Sequence, residues 1–455
     1  MYRFSVFREG KHARFAILNI PVNAIQCFTS RKATDISPCA SPTKSAMGLL
    51  IQQLKYERCL AVIRKCCPVG SAGAMSERGI QMNYAIMCNG KGARKSDRAE
   101  LIEAIRTAGG KAFMFGAGGE QISPWYDENT TAKFVTIDAT RSNVNPFREI
   151  ASIFSVKKKV RENRIDTAVI YGVKNHAAMA IGAKLGGCKR IMCIVNGSGN
   201  LFRLKGLKGK LVQMMAFPML RMAYSLSDNI CFQNADDKEL LISKGIVRDS
   251  NKLFLTGGSG VNLDAFPRQD LVEENRFLFL ARITPSKGIK EYIQAARLVK
   301  SEYPDATFDI VGPIDGVTES VDDFGLDAAT KDGIVTYHGA TTDVPGWLGK
   351  CRFFVYPSYY PEGVPRCAIQ AIATGRPIIT CATPGCKETV VDGVNGFMVE
   401  PRNPEALAKK MLWMLRNPEA VSKMADESRN LAETKFDVNK INQLLVEKMT
   451  GNTSR

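Results

Sequence analysis

The sequence predicts an α/β protein of two doubly wound, Rossmann-like domains facing each other across a cleft. Three observations predict it. From residue 82 to about 430, short apolar runs alternate with segments of helical period, the pattern of a parallel sheet with crossover helices. That rhythm breaks once, at "GSGVNLDAFPRQDLVEEN" (258–275), and then restarts, so there are two wound units. The chain has 455 residues, 45% hydrophobic and 24% charged, enough to bury two cores. Ligands of such sheets bind beyond the carboxyl ends of the strands, so two facing sheets line a cleft with both sets of loops.

Within the first domain, 82–265, the expected strands are "NYAIMC", "KAFMFG", "KFVTID", "TAVIYG", "RIMCIVN", "NICFQN" and "KLFLTGG". Helical segments such as "DRAELIEAIRTAG" and "HAAMAIGAKLGG" separate several of them. In the second, 266–430, "RFLFLAR", "TFDIVG", "IVTYHG", "CRFFVYPS", "RPIITCA" and "GFMVEP" read as strands. "IKEYIQAARLVKSEYP", "CAIQAIATG" and "PEALAKKMLWMLRN" read as helices, with Tyr292, Ala296 and Val299 on one face and Leu407, Met411 and Met414 on another. A last helix, "NKINQLLVEKM", within the segment 431–455, is placed to return to the first domain.

Residues 1–80 lack this rhythm. They hold twelve Lys or Arg against four Asp or Glu, with five cysteines. They read as a basic, poorly ordered extension, with one helix over Met47–Lys65, and the working chain is expected to begin near Met82. A targeting peptide, weakened by length and poor amphipathicity, and a regulatory extension are the competing readings.

The net charge of +17 and pI near 9.3 suit an anionic partner: nucleic acid, an acidic membrane or a phosphorylated substrate. Aromatic and basic residues are not interleaved as nucleic-acid modules require, so nucleic acid is not expected. Thirteen cysteines are scattered with no Cys-x-x-Cys pair, and there are three histidines. That argues for reduced thiols in a cytosolic chain and against a zinc cluster. No run of eighteen apolar residues occurs.

Two loops carry the chemistry. In "LARITPSKGIKEYIQAARLVK" a strand gives way to a helix through Arg282, Lys287 and Gly288. Gly288 allows close backbone approach, the helix start offers free N–H groups, and two cations beside them suit a diphosphate. Solvated lysines before a helix read the same way. The second loop, "YPSYYPEGVPRCAIQAIATG", ends a strand at Pro357, carries Glu362, opens a helix near Pro365 and closes it at Gly375. A carboxylate at that anion seat repels phosphate but accepts hydrogen bonds from sugar hydroxyls. Together they fit a sugar diphosphate better than a triphosphate.

The motifs "ARITPSKGI", "HGATTDV", "YPSYYPEGVPRCAIQAIATGRPIITCATPGCKETVVDGVNGF", "SDNICFQNADDKELLISKGI" and "GGSGVNLDAF" resemble the donor domain of family 4 glycosyltransferases of GT-B fold. "YGVKNHAAMAIGAKLGG" with "IVNGSGNLF" is similar to the polysaccharide-assembly subgroup acting on diphospho-undecaprenol acceptors. The resemblance covers about 82–450. It implies that Arg282 and Lys287 bind the donor diphosphate and that Glu362 holds the transferred sugar. Backbone N–H groups around Gly363 and Val364 would meet the distal phosphate, and His338–Gly339 would border the base. The family's second glutamate is replaced by Gln370, which can still pair with ribose hydroxyls; the exchange puts donor affinity or nucleotide preference in question.

On the acceptor side, Gly90 and Gly92 in "CNGKGARKSDR" would let the backbone approach the donor phosphate, or form a plain turn. Lys174, His176, Asn196 and Gly197 follow strands at the ligand end; His176 reads equally well as a solvent-exposed helix start. Leu204, Leu207, Leu211 and Met214 form one apolar stripe flanked by Arg203, Lys205, Lys208 and Lys210. That is either a docking face for an anionic membrane, extended by "VKKKVREN", or a core-packing helix.

No Asp-x-Asp occurs, so the expectation is transfer without a metal or other cofactor, the nucleotide sugar (UDP-linked) serving as co-substrate. Cations and helix termini would stabilise the leaving group. The expected enzyme is a retaining hexosyltransferase, peripheral on the cytoplasmic face of the plasma membrane, acting on a polyprenyl-diphosphate-linked saccharide. A GT-B epimerase needing no acceptor, or a non-catalytic nucleotide-sugar binder, are the alternatives.

Overall fold

The computed structural model describes residues 3–9, 12–18, 81–88, 98–117, 131–138, 146–314 and 324–451. The chain divides into two units, Met1–Pro68 and Val69–Arg455. In the first, β1 (Arg3–Glu9) and β2 (His12–Leu18) pair antiparallel, from Arg3↔Leu18 to Glu9↔His12. The sequence reading placed no strand there. "RFSVFRE" and "HARFAIL" hold just enough β-formers, two residues apart in sequence, for a hairpin. The helix expected over Met47–Lys65 lies outside the described residues.

The second unit holds two parallel sheets. The first runs β5-β4-β3-β6-β7-β8-β9, from β3 (Asn83–Met87), β4 (Lys111–Gly116), β5 (Lys133–Thr136), β6 (Thr167–Tyr171), β7 (Arg190–Val195), β8 (Asn229–Phe232) and β9 (Leu253–Leu255). Its helices are α1 (Ala99–Thr107), α2 (Pro146–Glu162), α3 (Val173–Gly186), α4 (Gly206–Leu226) and α5 (Ala235–Ser243). Every residue of β6 is buried, because helices cover both faces. Val156 of α2, Ala180 of α3 and Ala223 of α4 share a core with one face, and Ile102 of α1 with the other.

The second sheet runs β12-β11-β10-β13-β14-β15. Its strands are β10 (Arg276–Leu280), β11 (Thr307–Val311), β12 (Thr336–Tyr337), β13 (Phe353–Tyr356), β14 (Ile378–Cys381) and β15 (Gly396–Val399). Helices α6 (Ile289–Glu302), α7 (Leu326–Lys331) and α10 (Pro404–Arg416) cover one face. The other is covered by α8 (Val344–Gly349), α9 (Arg366–Ala373) and α11 (Pro418–Lys435). Tyr292, Ala296 and Val299 are buried together, as are Leu407, Met411 and Met414. In both sheets the first strand in sequence lies beside the fourth (β3 beside β6, β10 beside β13). The order reverses there, and the crevice between diverging loops opens at that point.

The final helix, α12 (Val438–Thr450), joins the first domain. Ile441, Leu445 and Met449 complete the α1 core. Its last carbonyls accept hydrogen bonds from Arg190 Nη1 (to Met449 O, 3.0 Å) and Asn229 Nδ2 (to Lys448 O, 3.0 Å), so groups orphaned at a helix end are satisfied by side chains. The chain thus crosses between the domains twice, and the two crossings are paired. Val261 N donates to Phe436 O (2.8 Å) and Val438 N to Val261 O (3.1 Å).

Candidate active site

The loops after β10 and β13 flank the reversal point of the second sheet and are tied together. The backbone N–H groups of Tyr359 and Tyr360 donate to Ser286 O at 3.0 and 3.2 Å, and Ser358 Oγ lies 3.3 Å from the same oxygen. Gly288 ends the first loop in the left-handed region, at φ +82. A Cβ there would stand 2.2 Å from Pro357 O, so only glycine fits. α9 begins at Arg366, and its closing turn passes through Gly375 at φ +76.

These loops bring Lys287 and Glu362, 75 residues apart, into contact: Lys287 Nζ pairs with Glu362 Oε1. Lys287 is only 8% exposed. Its ammonium lies 5.6 Å from the Tyr356 ring centre and 5.4 Å from that of Tyr360, a cation–π cradle that offsets lost hydration. Tyr356 Oη donates to the same carboxylate oxygen at 2.5 Å and Ser358 Oγ at 3.3 Å. Arg282 stands exposed on the first loop, while Gly363 and Val364 are buried and Gln370 is half-buried on α9.

His338 and Gly339 follow β12, at the same end of the sheet. His338 Nε2 donates to Asp309 Oδ1 (2.6 Å), whose other oxygen accepts from Arg276 Nε (2.7 Å). The His338 ring lies against Trp347, centroids 4.4 Å apart. Gly339 O accepts from Gly312 N at 2.7 Å.

The first domain meets this site directly. Gly197, at φ +115, lies so close that a Cβ would stand 2.8 Å from Gly363 N. Asn196 beside it is exposed. Asn234 caps α5 by accepting from Asp237 N (2.8 Å), and its Nδ2 reaches across to Gly363 O (2.9 Å). The buried Asp237 carboxylate accepts from Asn234 Nδ2 (2.8 Å) and Ser198 N (3.2 Å); desolvation pushes its pKa up, against these hydrogen bonds. Lys387 and Asp236 pair across the cleft at 2.8 Å. Sequence reasoning missed Asn234, Asp237, Tyr356 and Ser358. "NADD" carried an N-cap signal for the first two, but nothing local showed that the cap faces another domain.

Of the acceptor-side candidates, Lys174 lies exposed in the first turn of α3. Partial desolvation pushes its ammonium pKa down, opposed by Glu149. His176 is a correction. It does not face the cleft: it is fully buried, and both ring nitrogens are engaged. Nε2 lies 3.2 Å from both Ile170 O and Ile194 O, so it carries the proton, and Nδ1 accepts from Tyr224 Oη at 3.0 Å. The reason is the turn of α3, which points position 176 back under the sheet onto α4. Gly90 and Gly92 lie outside the described residues.

Desolvation lowers the His176 pKa from 6.5 to about 4. The unfolded chain therefore binds more protons between those values. Stability is full above pH 6.5 and is lost as pH falls towards 4, by about 3 kcal/mol at the limit. Thermal midpoints measured from pH 7.5 to 5.0 should drop more steeply for the wild type than for His176→Gln; parallel curves would contradict this burial.

The apolar stripe beside the site is largely exposed: Leu207 is 85%, Met214 48% and Leu204 40% accessible. Lys205 and Lys210 are exposed with them. Phe154 on α2 is 58% accessible, with Lys158 and Arg161 exposed on the same helix. The core-packing reading therefore fails for these residues; α4 packs inward through Leu220, Ala223 and Tyr224 instead. Among the described residues no helix is long and apolar enough to cross a membrane.

Two parallel sheets sharing a cleft, with a lysine–glutamate pair at one reversal point and the other domain against the same loop, define a GT-B glycosyltransferase. The family "Glycosyl transferases group 1" matches residues 264–431, the domain carrying Arg282, Lys287 and Glu362. Over 334 residues the chain is 24% identical to the N,N'-diacetylbacillosaminyl-diphospho-undecaprenol alpha-1,3-N-acetylgalactosaminyltransferase of Campylobacter jejuni, covering 70% of this chain and 86% of that protein. It is also 24% identical, over 346 residues, to the UDP-Gal:alpha-D-GlcNAc-diphosphoundecaprenol alpha-1,3-galactosyltransferase of Escherichia coli, covering 72% and 86%. Among solved structures, HepE of Anabaena in complex with UDP superposes with a TM-score of 0.65 at 17% identity, over 82% of this chain and 100% of that one. The chain has the GT-B fold and is a glycosyltransferase, with its second domain matching that family.

Proposed function

We propose that the protein moves a hexose or N-acetylhexosamine from a UDP-linked donor to a saccharide carried on a polyprenyl diphosphate, in polysaccharide or glycan assembly. The observation that carries this reading is the Lys287–Glu362 pair at the sheet's reversal point: one group suits a diphosphate, the other sugar hydroxyls, and Asn196–Gly197 of the other domain stands against them. Two relatives named for transfer to diphospho-undecaprenol saccharides support the acceptor class. A neighbour solved with UDP supports the nucleotide.

In this reading Lys287 and Arg282 meet the diphosphate, and the start of α9 adds N–H groups, so charge on the departing UDP is stabilised without a metal. Glu362 orients the sugar, and the acceptor approaches from Asn196 and Lys174. Transfer retains the anomeric configuration, the acceptor hydroxyl attacking the face that UDP leaves. The test is a panel of radiolabelled UDP-sugars incubated with membranes carrying polyprenyl-diphosphate saccharides. Label should move into the lipid fraction, undiminished by EDTA, with the donor's anomer preserved. Turnover of the UDP-sugar with no acceptor would favour an epimerase.

The exposed Leu207, Met214 and Phe154 with their neighbouring lysines would dock on the anionic cytoplasmic leaflet, making the enzyme peripheral there. Leu207→Glu should cut sedimentation with phosphatidylglycerol vesicles by about tenfold, since it replaces a buried leucine's transfer energy of about 1.5–3 kcal/mol with a repelled charge. Turnover of a short-chain soluble acceptor should be unchanged. Equal sedimentation of variant and wild type would remove this face from the docking surface.

A further inference from the structure

We infer that Tyr356 is a positioning residue for sugar transfer: its hydroxyl holds the Glu362 carboxylate so that Oε1 is saturated by protein and Oε2 is presented to the donor sugar. The inference rests on the reading above, in which Glu362 receives sugar hydroxyls.

The three donors that reach Glu362 all converge on Oε1: Lys287 Nζ, Tyr356 Oη at 2.5 Å and Ser358 Oγ at 3.3 Å. Among the described residues none reaches Oε2. A carboxylate oxygen holding three donors has no lone pair left for substrate, whereas the free one can take two hydroxyls. The protein thereby fixes which oxygen works and, through it, the plane of the carboxylate.

Tyr356 suits that task better than the other two donors. It closes β13, an otherwise apolar, fully buried strand, "FFVY". The residue is 1% exposed, with its ring centre 6.4 Å from those of Phe279 and Phe354. A phenylalanine would fill the same space, so what the hydroxyl adds is its hydrogen bond. Desolvation, reinforced by the Glu362 charge, pushes the phenol pKa well above 10, and the group stays a donor at any working pH. Lys287 has a second claim on it, the diphosphate; the Ser358 hydroxyl sits at the long limit and also lies 3.3 Å from Ser286 O. With donor bound, Tyr356 is the hold on Glu362 that nothing else competes for.

The test compares the full-length wild type with Tyr356→Phe and Tyr356→Met, alone and in a Glu362→Ala background. UDP binding and single-turnover transfer from the UDP-sugar are read for each. Loss of a buried hydrogen bond to a charged group predicts a transfer rate lower by about 10- to 50-fold in either single variant. The UDP dissociation constant should stay within about twofold, because UDP lacks the transferred sugar that Glu362 holds. In the Glu362→Ala background the same exchanges should change the rate by less than about twofold, since the residue acts through Glu362. Equal losses in both backgrounds, or UDP affinity falling with the rate, would mean a merely structural role and overturn the proposal. Unchanged transfer in the single variants would overturn it too. A wild type that binds no UDP and moves no sugar would overturn the glycosyltransfer reading and this one with it; an active wild type separates the two.

Discussion

Lys287→Met lowers kcat by about 10³-fold, a loss of about 4 kcal/mol in transition-state stabilisation. The lysine is nearly buried, so its charge acts in a medium of low effective dielectric, and the exchange has two consequences that add. The diphosphate loses its fixed cation as negative charge grows on the departing nucleotide. Glu362 loses its ion-pair partner, and its carboxylate then faces the same diphosphate with no cation between them. Lys287→Arg should recover little. A planar guanidinium does not fit a slot walled by Tyr356 and Tyr360 and shaped for a compact ammonium. Steady-state kinetics, with UDP affinity measured separately, checks this. A loss below about tenfold would remove Lys287 from the centre of the mechanism.

Gly288→Ala destabilises the second domain by about 3–4 kcal/mol, the upper range for a point change. Left-handed backbone costs a side-chain-bearing residue about 1 kcal/mol or more. The rest comes from the collision with Pro357, whose carbonyl oxygen and carbon would lie 2.2 and 2.7 Å from the new methyl. Both are backbone atoms and cannot swing aside. Relief requires the loop holding Lys287 to separate from the one holding Glu362, so donor affinity falls with stability. The thermal midpoint should drop by roughly 5–10 °C, and UDP binding should weaken at temperatures where the variant is still folded. A midpoint within about 1 °C of the wild type would show that the two loops are not packed as described.

The donor side was the most legible part of the sequence because its chemistry is carried by consecutive residues. Gly288, Pro357, Gly363 and Pro365 punctuate two strand-to-helix loops, and the ends of parallel strands beside a reversal point place such loops together. His176 was misplaced because the partner that buries it, Tyr224, is 48 residues further on, and a position after a ligand-end strand does not reveal which way a helix will turn it. Tyr356 was hidden for the opposite reason: in an apolar strand its ring reads as core, which it is, and only the folded distance shows what the hydroxyl reaches. The α4 stripe could not be sorted into core or surface from its period, since both give the same spacing. The exposure of Leu207 decides it.

The paired crossings at Val261 and Phe436–Val438 give the enzyme a double-stranded tether. A single linker lets two bodies twist and slide; two strands laced side by side resist both, leaving a swing about one axis as the soft motion. The Phe436–Val438 segment is therefore half of the pivot. Ending the chain before Val438 would cut one strand of it and leave the α1 face bare, so the two lobes would lose their common alignment even with every donor-site residue in place.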